Sequence, residues 1–448
     1  MSATEIPRAR EVAALAVPAL GALVAEPLYV LGDTAIVGHL GTLPLAALAL
    51  AGLLLSQILA FCTFLQYGTT ARAVRLYGAD RRADALDVGV QATWLAVGVG
   101  LVLLVAIQVL AEPALRLLAG GATPAAAEAV DWLRIAAFGA PFVLVSAAAQ
   151  GWMRAFQDTR TPLAVIGLAN VASLALCWAL VYPAGLGLEG SALANVTAQA
   201  GAALVFLRIL RRRGAPLAPS WPRIRAQFAA ARDLTVRTAA FFVAFTVAAG
   251  VAARMGEEHV AAHQIGFQLW IFCALFLDAT AIAAQALVGR LLGAGATDAA
   301  AALARRLLVI GGALGAGFAI VLAAGADPLP RLFTEDPAVQ EQAAVLWPWL
   351  VAMMPVNGVL FALDGVLLGA GDLRFMRNVT IAAALLAYLP LSLATATLAL
   401  GLGGIWAGLS AFVWLRLVVG LARWRRGGWL VGGTHLADEA EPQRAGSA

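Results

Sequence analysis

Charge clusters and Pro/Gly breaks cut the chain into twelve apolar runs, at about residues 11–38, 44–76, 84–111, 125–156, 162–183, 187–210, 230–254, 258–292, 299–324, 338–368, 375–398 and 402–423. Each is long enough to cross a hydrocarbon core of about 30 Å, which takes roughly 20 helical residues. This pattern predicts an all-α polytopic membrane protein. Hydrophobic residues make up 62% of the 448 and charged ones 12%, against roughly 25% charged in an average soluble domain. The first run begins near Glu11 and outlasts a signal-peptide core with no small-residue cleavage site behind it, so it is expected to stay as a span.

Arginine placement tests this division, because the chain contains no lysine. Arg8 and Arg10, Arg81 and Arg82, Arg154 and Arg160, the Arg211–Arg213 run, Arg305 and Arg306, Arg374 and Arg377, and Arg423, Arg425 and Arg426 all fall on alternate connections. Such a bias orients helical membrane proteins with the basic side inward. Both termini are therefore expected to be cytoplasmic. The intervening connections carry Glu112, Glu128, Asp131, Glu257, Glu258 and Asp327.

An internal repeat organises the spans. RLYGA at Arg75–Ala79 returns as RLLGA at Arg290–Ala294, and EPALR at Glu112–Arg116 returns as DPLPR at Asp327–Arg331. Both pairs lie 215 residues apart, as do Trp132 and Trp347; after a one-residue slip Pro141 meets Pro355, Gly151 meets Gly365 and Asp158 meets Asp372. The chain thus reads as two six-helix bundles related by a pseudo-twofold axis along the membrane normal, with cargo expected between them. The expected divisions are a cytoplasmic N-terminus (1–10), an N-lobe (11–210), a basic cytoplasmic linker (211–229), a C-lobe (230–426) and a disordered polar tail (427–448).

Charged groups inside spans are costly and usually face a cavity or a partner. Asp33, Asp278 and Asp364 stand out, with Arg237 as the strong base read inside a span. None of the three acids is duplicated in the other half: Asp364 aligns with Gln150, Asp278 falls near Thr63 and Asp33 near Ala248. Residues serving only the fold should recur in both halves, so the acids are candidate ion or cargo groups. Desolvation disfavours the charged form of a carboxyl, which suits a group that loads and releases a proton. The alternatives are structural: Asp33 bonded to Thr34 or a backbone carbonyl, and Asp278 or Asp364 paired with Arg237 or an amide. Glu26 and Tyr29 share the Asp33 face, two turns and one turn earlier. Gln57, Gln150, Asn170, Gln264 and Asn357 are candidate cavity amides, although amides on small-residue faces commonly tie helices together. His263 reads as a packed core histidine. Pro18 and Pro27 remove backbone hydrogen bonds from the first span and mark it as a helix that can bend.

Soluble catalytic patterns are missing. The GAG and GLGG fragments follow no strand, a lysine-free chain has no Walker A lysine, and no HExxH spacing occurs. The three cysteines, Cys62, Cys177 and Cys273, lie in apolar runs and form no CxxC pattern. No catalytic residue, nucleic-acid partner, organic cofactor or metal centre is expected.

DTAIVGHLG (Asp33–Gly41), ARDLTVRT (Ala231–Thr238), AAHQIGFQLW (Ala261–Trp270), LDATAIAAQALVGRLLGA (Leu277–Ala294) and LDGVLLGAGDLRFMRN (Leu363–Asn378) together resemble the multidrug and toxic-compound extrusion (MATE) transporters, in particular the DinF branch. The resemblance spans all twelve runs and excludes the tail. It implies two six-helix bundles and drug export driven by inward H+ or Na+, with the first-helix acid at Asp33 and a tenth-helix acid at Asp364. Family members complete an N-lobe cation site with an NxxxD pattern on the fifth helix and a Thr on the sixth. The matching positions here are Ser173, Cys177 and Asn195, so the second carboxylate is missing, which favours H+ over Na+. Asp278 and Asp364 form a possible C-lobe station. The expected protein is a monomeric antiporter of a bacterial cytoplasmic membrane exporting small organic cations or amphipaths. A flippase for lipid or lipid-linked saccharide is the alternative, and a membrane-embedded enzyme or a receptor fits the repeat less well.

Overall fold

The computed structural model describes residues 5–398 and 400–434. Among these, twelve helices are long and apolar enough to span a membrane: Ala9–Gly38, Thr42–Gly78, Arg82–Leu118, Pro124–Ala155, Arg160–Val181, Gly187–Arg212, Trp221–Ala253, Glu257–Gly293, Thr297–Ala324, Pro337–Ala370, Leu373–Thr395 and Gly401–Arg425. They are called here the first to twelfth spans. Apolar stretches in lipid have no water to satisfy their backbone, so helix is the form that bonds every peptide group within the segment. The second and fourth spans pass through a 3₁₀ turn at Phe61–Thr63 and Ala137–Gly139, and the eleventh through a π turn at Ala384–Tyr388. The first span stays helical through Pro18 and Pro27.

The chain forms two compact units. One holds Val17–Arg232 with Thr434, the other holds Asp233–Gly433 with the chain up to Ala16. The repeat is visible in how each unit packs. In the first, a Cβ added to Gly151 would stand 2.6 Å from the Gln66 carbonyl oxygen, and in the second one added to Gly365 would stand 2.3 Å from that of Ala281. Gly100 meets the Pro141 backbone and Gly315 the Pro355 backbone in the same way. These are the positions the 215-residue repeat equates. Lipid supplies no hydrophobic drive between helices, so close approach at small residues is what packs them.

The segment read as a linker is short and fastened: the sixth span runs through Arg212, the seventh begins at Trp221, and the residues between are held on the third span. Trp94 Nε1 donates to Leu217 O (2.8 Å), Gln91 Nε2 to Ala218 O (3.1 Å), and Ser220 N to Gln91 Oε1 (2.8 Å). Arg223 then pairs with Asp87 at 2.8 Å, and Gln227 donates to Val88 O at 2.9 Å. Asp87 and Gln91 are one turn apart on one face and satisfy backbone groups that a non-helical segment leaves open. The change between units falls at Arg232/Asp233. The start of the expected disordered tail is also placed: Trp429 is buried and the Gly433 N–H donates to Leu292 O at 2.8 Å. Residues 435–448 of that tail, and 1–4, lie outside the described residues.

Candidate functional site

Asp33, on the first span, is 5% exposed. Its partners are not Thr34 or a carbonyl but side chains from two other spans. The Ser191 hydroxyl of the sixth span lies 2.9 Å from Oδ1 and 3.1 Å from Oδ2, and the Cys177 thiol of the fifth donates to Oδ1 at 3.2 Å. Trp132 Nε1 donates to Ser191 Oγ at 3.3 Å and fixes that hydroxyl. Among the described residues no cation pairs with Asp33. The carboxyl is thus enclosed by neutral donors.

One turn earlier, the Tyr29 hydroxyl accepts from Asn195 Nδ2 at 2.8 Å. Ser173 is buried on the fifth span, with its side chain set against the Tyr29 hydroxyl. The positions singled out by resemblance therefore converge here: Cys177 on Asp33, and Asn195 and Ser173 on Tyr29. Asn170 does something different, donating to Ala25 O at 3.0 Å and tying the fifth span to the first. Gln150 Oε1 accepts from Gln66 Nε2 at 2.8 Å, a tie between the fourth and second spans. Glu26 is exposed and Gln57 is half-buried.

In the other unit Asp364 of the tenth span is not alone. Its Oδ2 accepts from Arg237 Nη2 of the seventh span and from Arg416 Nη2 of the twelfth, each at 2.5 Å. Both guanidiniums also lie over aromatic rings: Arg237 over Phe241 at 5.5 Å, and Arg416 over Phe241 and Phe412 at 4.9 and 5.4 Å. The pairing weighed for Asp364 with Arg237 is present, with a second arginine added. Asp278 is half-buried on the eighth span. His263 is packed as expected, stacked on Phe267 at 5.8 Å and edge-on to Trp406 at 5.9 Å. Asn357 is buried with neither amide atom bonded among the described residues, and Gln264 is exposed.

Sequence reasoning missed Ser191, Trp132 and Arg416. Trp132 carried a signal, its recurrence at Trp347, but that signal speaks for the fold. In fact Trp347 Nε1 donates to the Leu322 carbonyl. Arg416 was marked by a charge inside AFVWLRLVVG, seven residues before Arg423, and merges in sequence with the basic end of the chain. Ser191 carried none.

The MatE family profile matches residues 18–179 and 234–393, one stretch in each half. The chain belongs to the MatE family. It is 32% identical over 430 residues to Protein DETOXIFICATION 44, chloroplastic, of Arabidopsis thaliana, covering 93% of this chain and 82% of that one. It is 28% identical over 423 residues to DNA damage-inducible protein F of Escherichia coli strain K12, covering 92% and 91%. In fold it matches a MOP superfamily transporter from Pyrococcus furiosus, with a TM-score of 0.84 over 94% of this chain and 96% of that one at 19% identity. This MatE chain is a multi-pass efflux transporter of the multidrug and toxin type, a secondary transporter and not an enzyme.

Proposed function

We propose that this MatE transporter is an antiporter that exports organic, cationic or amphipathic compounds in exchange for protons, by alternating access of its two lobes, with Asp33 as the residue that carries the coupling ion. The observation behind this reading is the shell of Asp33. Ser191 and Cys177 offer neutral donors and no positive charge, so an ionised Asp33 in a membrane interior calls for a bound proton or cation to complete the charge balance. Hard cations such as Na+ favour a cage of oxygens. A thiol pointing its hydrogen at the carboxylate fits a proton better. Asp364, by contrast, already faces two guanidiniums and has no spare negative charge to offer. Asp278 is the remaining C-lobe candidate for an ion step.

The arginine distribution supports both termini on the cytoplasmic side; we assign the chain to a bacterial inner membrane, with a small organic cargo handled by a monomer. Names among the relatives, such as the probable multidrug resistance protein NorM of Thermotoga maritima at 23% identity, support drug export and do not favour the flippase alternative. The test is flux in proteoliposomes: an imposed pH gradient should drive accumulation of a fluorescent organic cation. Translocation of a lipid-linked saccharide without movement of the cation would overturn the reading.

A further inference from the structure

Trp132 of the fourth span and Trp347 of the tenth are equated by the 215-residue repeat, and both are buried. Their indole N–H groups go to different places. Trp347 Nε1 donates to the Leu322 carbonyl of the ninth span at 2.7 Å, a tie between two helices. The position equated with Leu322 is Ile107, yet Trp132 Nε1 donates to the Ser191 hydroxyl at 3.3 Å. A shared tryptophan thus serves a backbone group in one unit and a side chain in the other. Neither Ser191 nor the acid behind it is duplicated: Asp33 falls near Ala248, and the one-residue slip sets Ser191 against Ile405. The repeated fold accounts for a tryptophan at both places. It does not account for turning one N–H onto the hydroxyl that touches Asp33.

The chemistry of Ser191 gives that turn a consequence. A hydroxyl carries one hydrogen and two acceptor positions and rotates to suit its neighbours, whereas an indole N–H can only donate. Ser191 is fully buried, with Oγ 2.9 and 3.1 Å from the two Asp33 oxygens. With the Trp132 N–H on its oxygen, the hydroxyl keeps its hydrogen for Asp33. A hydrogen bond donated to a carboxylate is stronger than one to a neutral carboxyl, and a hydroxyl that is itself accepting donates more strongly. The indole therefore supports the ionised form of Asp33 more than the protonated one. Among the described residues the titratable groups set against Asp33 are Cys177 and Tyr29, and no charged side chain acts on it. Asp131 and Glu189, close in the chain to Trp132 and Ser191, are exposed.

We propose that Trp132 is a positioning residue of the coupling site: by holding Ser191 as a donor, it sets how tightly Asp33 keeps its proton. The bearing of this on transport rests on the coupling role proposed for Asp33; the relay from indole to hydroxyl to carboxyl does not.

The full chain in phosphatidylcholine nanodiscs is titrated with acid while infrared difference spectroscopy follows the C=O stretch of protonated carboxyls; the band lost in Asp33→Asn is that of Asp33. Trp132→Phe keeps an aromatic ring and removes the N–H. It should lower the half-saturating proton concentration of this band by about threefold, as weakening one charge-assisted bond predicts. Ser191→Ala should lower it at least as far. Trp132→Phe added to Ser191→Ala should move it no further, because the indole acts through the hydroxyl. Trp347→Phe loses the equivalent N–H and should leave the titration in place. Ser191→Ala serves as the second variant where Trp132→Phe fails to fold. A half-saturating concentration unchanged in Trp132→Phe or in Ser191→Ala would overturn the proposal. So would an equal further shift from Trp132→Phe on the Ser191→Ala background, or an equal shift in Trp347→Phe. Proton-driven transport that persists in Asp33→Asn would instead remove the coupling role and leave this titration as it stands.

Discussion

Removing Asp364 should cost the fold more than removing either arginine it holds. Arg237 Nη2 and Arg416 Nη2 each lie 2.5 Å from the same oxygen. With the carboxylate replaced by an amide, two guanidinium nitrogens that both reach one oxygen at 2.5 Å, and so lie at most about 5 Å apart, repel by about 3 kcal/mol or more at an effective dielectric of about 20. Breaking a buried pair from one side typically costs about 3–5 kcal/mol, so Asp364→Asn should destabilise the protein by an amount in that range. Arg416→Gln leaves Asp364 and Arg237 as a one-to-one pair and forfeits one charged hydrogen bond, worth about 1.5–3 kcal/mol. The double variant Asp364→Asn/Arg416→Gln should then be less damaged than the sum of the singles. Unfolding of detergent-solubilised protein, followed by tryptophan fluorescence, measures all four proteins. An Arg416→Gln penalty equal to or larger than that of Asp364→Asn would refute the charge arithmetic.

The repeated glycines give a second check: Gly365→Ala and Gly151→Ala push a methyl onto a facing backbone carbonyl and should each cost about 1–3 kcal/mol. Gly317→Ala, with open space around its Cβ, should stay within about 0.5 kcal/mol in the same unfolding assay. Ser191→Ala removes the hydroxyl between Trp132 and Asp33 and should cost about 1–3 kcal/mol, with efflux reduced; Ser191→Thr, which keeps the hydroxyl, should retain efflux. Cys177→Asp sets a second carboxylate against Asp33, supplying oxygen ligands where a thiol stood, and should make dye efflux respond to external Na+. Efflux by Cys177→Asp that is indifferent to Na+ would count against the thiol as the residue disfavouring that ion.

The twelve spans and the repeat were legible because apolar length and spacing are one-dimensional properties. The repeat equated Gly151 with Gly365 by spacing alone, and the structure shows both at close helix approaches. Asp33 was legible for the same reason: a carboxylate in an apolar run announces itself wherever it points. Its donors did not, because Ser191 lies 158 positions along the chain and a serine among small residues is unremarkable in sequence. Arg416 was hidden by the neighbouring Arg423 and Arg425, although its depth in the twelfth span is what gives Asp364 its second partner. The fastening of the 211–229 segment was not legible, because composition reports polarity, whereas its order comes from Asp87, Gln91 and Trp94 on another helix.

We propose Asp33 as the residue that carries the proton exchanged for cargo. Reconstituted wild-type protein and Asp33→Asn should be compared for uptake of a fluorescent organic cation under an imposed pH gradient and, separately, an imposed Na+ gradient. The pH gradient should drive wild-type transport, the Na+ gradient should not substitute for it, and Asp33→Asn should lose the proton-driven component while still folding. Proton-driven transport that persists in Asp33→Asn would contradict the account.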